Sequence, residues 1–234
     1  MKTTAIAICA LVFATSAFAD DHLEPEYSIV GGQEWSQNYD NIIVGVLHEA
    51  YERDVIARMV TIPSFQAESA VGIRKKGDRY TIFVLSPATH LWGYQILADM
   101  QNQRDAKGNP APDIKGAAEL SKEIPADWHD VKVNHCEVDI DAGLSQKLSD
   151  VWGKMLMQTR YPAPSDTVGV DGVIFHFYSY GKAGQIWSPS GGQTRALVDI
   201  AETMSAYCVD KKNSTLISLT NKANKLSEDL ATSK

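Results

Sequence analysis

VKVNHCEVDI (131–140), GLSQKLSDVWGKMLMQTRYP (143–162), VDGVIFHFYSY (170–180) and TRALVDIAETMSAYC (194–208) are the stretches on which the fold turns. They alternate strand, helix, strand, helix. In the first, Cys136, Val138 and Ile140 share one face and Val131 and Val133 lie on the other, which a bulge near Asn134 would reconcile. In the second, Leu144, Leu148, Val151, Trp152 and Met155 fall at i, i+4, i+7, i+8 and i+11, the stripe of an amphipathic helix. Asp141 is placed to cap it and Pro162 to end it. In the third, Asp171-Gly172 marks a tight turn after Val168-Gly169-Val170. Beyond that turn Val173, Phe175 and Phe177 point to a core, and Ile174, His176, Tyr178 and Tyr180 point to a half-open side. GKAGQIWSPSGG (181–192) reads as a loop. The last stretch places Leu197, Ile200, Ala201, Met204 and Cys208 on one helical stripe.

Working outward toward the N-terminus, SAVGIRK (69–75) and RYTIFVL (79–85) flank Lys76-Gly77-Asp78 and predict a hairpin. Tyr80, Ile82 and Val84 alternate with Thr81, Phe83 and Leu85, so the second strand is apolar on both faces and belongs in the middle of a sheet. The four-residue recurrence of Ile43, Leu47, Tyr51, Val55 and Met59 predicts a helix over 41–60, capped by Asp40 and ended before Pro63. Trp92, Ile96 and Met100 predict a helix within 89–104. DAKGNPAPDIKG (105–116) is a surface loop and the best boundary candidate; 117–123 reads as helical. At the other end, Leu216, Leu219, Ala223, Leu226 and Leu230 form a narrow seam on a helix over 213–230, free to pack on the domain or to meet a partner. The expected fold is α+β: a small, mostly antiparallel sheet with packed amphipathic helices, in a single compact domain over 20–234. Within it an N-terminal lobe 20–105, a C-terminal lobe 125–212 and the helix 213–230 can be set apart.

Residues 1–19 carry Lys2, an apolar run and Ala17-Phe18-Ala19, the layout of a signal peptide cleaved after Ala19. The expected location is periplasmic or secreted. Removing 19 of the 234 residues would leave 215, with no later stretch apolar enough to cross a membrane. The formal net charge of −7, which becomes −8 without Lys2, argues against nucleic acid and anionic membranes. With Cys9 in the leader, Cys136 and Cys208 are the pair left to form a disulfide in an oxidising compartment.

Chemistry is harder to find. Ile29-Val30-Gly31-Gly32 looks like the mature start of trypsin-like proteases, but no GDSGG-type loop accompanies it. His48-Glu49-Ala50-Tyr51-Glu52 approaches the zincin motif, with Glu52 where its second His belongs. On a helix His48 and Glu52 would share a face and make candidate zinc ligands, with Glu49 as base. His135 and Cys136 point to opposite faces of a strand and do not join His129 in a cluster. Asp171, His176 and Ser188 or Ser190 lack a nucleophile elbow. No cofactor is expected. Arg160, Tyr161, His176, Tyr178, Tyr180 and Trp187 are the residue types that anchor interfaces and stack on peptide or glycan ligands. The reading that follows is an exported, non-enzymatic binding protein, of inhibitor or immunity type, meeting another exported protein or a peptide or glycan ligand through that set. A secreted metal-dependent hydrolase and an envelope structural protein assembling through its last helix are the alternatives.

Overall fold

The computed structural model describes residues 22–26, 34–102, 122, 124–161 and 172–232. The leader 1–19, the tetrapeptide 29–32, the loop 105–116, Pro162, the approach 168–171 to the expected turn and all of 117–123 but Lys122 lie outside the described residues.

The elements are α1 (Glu34–Val46), a 3-10 turn (His48–Tyr51), β1 (Val55–Pro63), β2 (Ser69–Lys76), β3 (Arg79–Pro87) and α2 (Trp92–Asn102). A second 3-10 turn (Trp128–Asp130), β4 (Val133–Ile140), α3 (Ala142–Met157), β5 (Val173–Ser179), β6 (Lys182–Trp187), α4 (Gly192–Asp210) and α5 (Asn213–Thr232) follow. The strands form one six-stranded sheet in the order β4-β3-β2-β1-β5-β6, and every neighbouring pair is antiparallel. The fold is α+β, as the patterning predicts. Strands from the two halves of the chain share the sheet, since β3 pairs with β4 and β1 with β5.

One face of the sheet carries α3, α4 and α5. Met59, Val71, Ile73, Ile82 and Phe177 meet Leu148, Trp152, Met155, Leu197, Ile200 and Met204 there in one apolar cluster. The helical stripes read from the sequence are the buried ones. Asp141 caps α3 by accepting from Leu144 N at 2.9 Å. The seam of α5 is used internally: Leu219, Ala223, Leu226 and Leu230 are buried in the same cluster. Cys136 and Cys208 are joined, with Cα atoms 6.0 Å apart, fastening edge strand β4 to the end of α4.

The other face meets α1 and the 3-10 turns through Tyr39, Ile43, Leu47, Val60, Phe83 and Leu85. The hairpin over 69–85 is present, with Lys76 paired to Arg79, and β3 is central and buried as expected.

Three expectations are corrected. The helix expected over 41–60 runs instead from Glu34 to Val46, which puts Asp40 inside it rather than at its cap; His48–Tyr51 is a 3-10 turn and Val55 onward is β1. Residues four apart share a face in a strand as well as in a helix, and the β-branched run in VIARMVTIP settles the choice. The loop 181–192 contains β6. Its central Gly184 hid it. A Cβ there would lie 3.2 Å from Glu24 O and from Leu156 Cδ2, so glycine marks a close approach rather than a break. No bulge interrupts β4: its register against β3 runs unbroken from Val133 to Ile140, and simple alternation places Val133 and Cys136 on opposite faces. The irregular step is in β1, between Val55 and Ala57.

Candidate functional site

The six aromatic and polar residues expected to act together are distributed around the β5–β6 hairpin. Ser179 pairs with Lys182 near its tip and Ile174 with Trp187 at its far end, which separates Tyr180 from Trp187 by roughly 17 Å along the strands. Trp187, 39% exposed, lies against the backbone of Gly172, where a Cβ would be 2.6 Å from its Nε1. Arg160 donates its backbone N–H to Leu23 O at 3.0 Å and is exposed, as is Tyr161. The set is therefore not one patch.

His176 and Tyr178 lie on the same sheet face as Arg58, and Tyr178 is Arg58's register partner. The Arg58 guanidinium sits between two rings, 4.2 Å from the centroid of Tyr51 and 4.3 Å from that of Tyr178. Burial holds Arg58 below its ordinary pKa, opposed by Tyr51 and Glu26. Burial likewise pushes the Tyr51 phenol up to about 12, with Arg58 pulling against it. His176, buried, has Nδ1 3.0 Å from Glu26 Oε1. His176 Nε2 is buried without a hydrogen-bond partner among the described residues, and the cluster clasps the segment at Glu26 and the 3-10 turn at Tyr51 to the sheet.

The HEAYE motif lies on and just beyond a 3-10 turn rather than an α-helix, so His48 and Glu52 do not acquire the helical i, i+4 geometry. His48 Nδ1 is 3.2 Å from Gly45 O. The acids turn to a different partner, the buried Arg74. Glu49, Glu52 and Asp54 approach its guanidinium at 3.7, 3.4 and 3.4 Å, and Glu49 O accepts from it at 2.9 Å. Arg74 also lies 4.9 Å from the Phe83 ring centroid. Phe83 in turn covers Gly72, where a Cβ would lie 2.6 Å from the ring and from Ala57 O. Among the described residues no group of three or more His, Cys, Asp or Glu side chains is placed to share a metal ion. Glu68, fully buried, accepts from the backbone N–H of Leu91 at 2.7 Å, from that of Trp92 at 3.1 Å and from the Tyr39 hydroxyl. It caps α2 as a carboxylate at a helix N-terminus does.

A different place on the surface is concave. The end of α3, the β5–β6 tip and the end of α5 enclose an open groove of about 690 Å³. Met157, Tyr180 and Leu230 give it an apolar lining, and Met157 and Tyr180 are 67% and 62% exposed. Lys154, Lys182 and Asp150 stand among its polar residues. Tyr180 occupies the turn with φ of +46°, followed by Gly181 at +79°. The left-handed region costs a non-glycine residue roughly 1–2 kcal/mol. Of the six expected residues only Tyr180 lines this groove. Met157 and Leu230 come from helices far apart in sequence; Leu230 is read from the sequence only as part of the helix seam, and Met157 is marked only by its position off the buried stripe of α3.

No family model, curated protein or solved structure matches this chain.

Proposed function

We propose that this chain is an exported, non-enzymatic binding protein, and that its ligand enters the groove between the ends of α3 and α5 and the β5–β6 tip. The observation that supports this reading is the exposure of Met157 and Tyr180 beside Leu230 around one concavity. Large apolar side chains left in water and gathered at a groove mark binding sites. By contrast, the buried Arg58, Arg74 and Glu68 have partners within the fold and are read as fastenings. The seam of α5 is occupied by its own domain, which favours a binding protein over one that assembles through that helix.

Nile red, an uncharged apolar dye, tests the reading. The expected result is saturable binding at one site per chain, lost in Met157→Asp and in Tyr180→Asp while the melting temperature holds. Equal binding by the wild type and both variants would remove the groove from consideration.

A further inference from the structure

Resting on that reading, we infer that the groove's ligand is a free, single-chain anionic amphiphile of the fatty-acid class, with its tail along Met157, Tyr180 and Leu230 and its head group between Lys154 and Lys182. Three observations carry this. The first is shape: about 690 Å³ falls within the roughly 300–1,000 Å³ of small-molecule sites.

The second is charge. The chain as a whole is acidic, at −7, yet the groove presents two ammonium groups and one carboxylate. The arginines Arg74, Arg79 and Arg195 are drawn to acids elsewhere on the chain, while other lysines are turned to neutral groups, Lys147 to Asn224 and Lys222 to Thr203. Lys154 and Lys182 have no ion pair among the described residues. The groove's Asp150 accepts from Gln146 Nε2 at 2.7 Å and keeps its negative charge, leaving the groove's charged groups at a net of one positive. An anionic head would find two unpaired ammonium groups at the rim of an apolar floor, where charge-assisted hydrogen bonds are strongest. A cationic head would meet repulsion. The acidic remainder of the chain disfavours an anionic bilayer surface as the source, which leaves the monomer in water.

The third is the tip itself. A tyrosine is held in the left-handed region at a two-residue turn, where asparagine or glycine is at ease. Its side chain lines the groove, and strain retained at such a place points to use of the side chain.

The experiment is calorimetric titration with decanoate, decyltrimethylammonium and decyl maltoside, each below its micelle concentration, alongside phosphatidylglycerol vesicles. Decanoate is expected to bind one per chain, about tenfold tighter than the other two, and to weaken as salt is added. Lys154→Glu with Lys182→Glu should weaken decanoate about tenfold and leave decyl maltoside and the melting temperature unchanged. If decyl maltoside or the cation equals decanoate, and Met157→Asp still abolishes binding, the head-group assignment falls and the groove stands. If no monomer binds, or Met157→Asp changes nothing, both readings fall. Binding to vesicles without binding to decanoate overturns the free monomer as ligand.

Discussion

Phe177, Met59, Val71, Val84 and Cys136 form one row across the sheet beneath α3 and α4, and the very next row, on the opposite face, is Tyr178, Arg58, Gly72, Phe83 and Glu137. The same five strands thus present a dry apolar layer on one side and a row broken by charge and aromatic stacking on the other. The first side is held by buried area, which is tolerant of detail so long as volume is kept. The second has a smaller apolar cluster under α1, and along this row it is held by a few paired polar groups, each of which fails if its partner is lost. The contrast explains why the helical side was readable from periodicity and the other side was not.

The comparison can be broken most severely at Trp152. It is fully buried, meets Phe177 edge-on with ring centroids 6.0 Å apart, and donates to Arg58 O at 3.2 Å. Trp152→Ala is expected to cost about 3–5 kcal/mol, measured as a fall in the urea midpoint. On the opposite face Arg74→Met should cost about 2–3 kcal/mol, because it removes the buried cation shared by three carboxylates, of which Asp54 keeps Lys76 and Glu49 keeps His135 nearby. Glu52→Gln, removing its 45%-exposed partner, should cost under about 1 kcal/mol. Equal losses from the two would mean that the acids, not the arginine, hold the turn.

The polar face also predicts a pH dependence that the apolar face lacks. Burial raises the Tyr51 phenol in the folded state from 10.0 to about 12. A group whose folded value lies above its unfolded value contributes stability that is whole below the unfolded value and lost as pH climbs through the folded one. Stability should therefore fall between pH 10 and 12, by about 2–3 kcal/mol from this group. Tyr51→Phe should flatten that limb without erasing it, since Tyr39 is pushed upward too, first by burial and then by Glu68. A wild-type curve level across that range would contradict the burial of the Tyr51 phenol. The smallest effect is at the hairpin tip. Tyr180→Asn should raise stability by about 0.5–1 kcal/mol while ligand affinity drops, and a loss of both would mean that the side chain braces the hairpin.

Much of the architecture was legible. α3, α4 and α5 declared themselves because each buries one stripe against a continuous apolar layer, so the 3.6-residue period survives intact. The 69–85 hairpin was legible from its turn and from apolar residues on both faces of β3. β1 was obscured because Val55 and Met59 satisfy both periods, and β6 because an outer strand with Lys182, Gly184 and Gln185 has few apolar residues to alternate. The clues to the polar face were single letters, Arg58 inside VIARMVTIP and Arg74 inside SAVGIRKK. An arginine in an otherwise apolar strand signals an enclosed charge, but names neither Tyr178 nor Asp54 as its partner. The groove was the least legible part. It joins two helix ends and a turn that meet only once the sheet has formed, and of its apolar lining only Tyr180 stood among the expected residues.

The bond between Cys136 and Cys208 has a consequence for how the native state opens. β4 is an edge strand with one hydrogen-bonded neighbour, and such strands commonly exchange their amide protons by detaching alone. Here the strand is tied to a buried cysteine two residues from the end of the 19-residue α4. Detachment of β4 must displace the last turns of that helix from the apolar cluster. Strand and helix are thereby made one opening unit: an oxidised chain should show their amides exchanging at a common rate, and reduction should divide them into two.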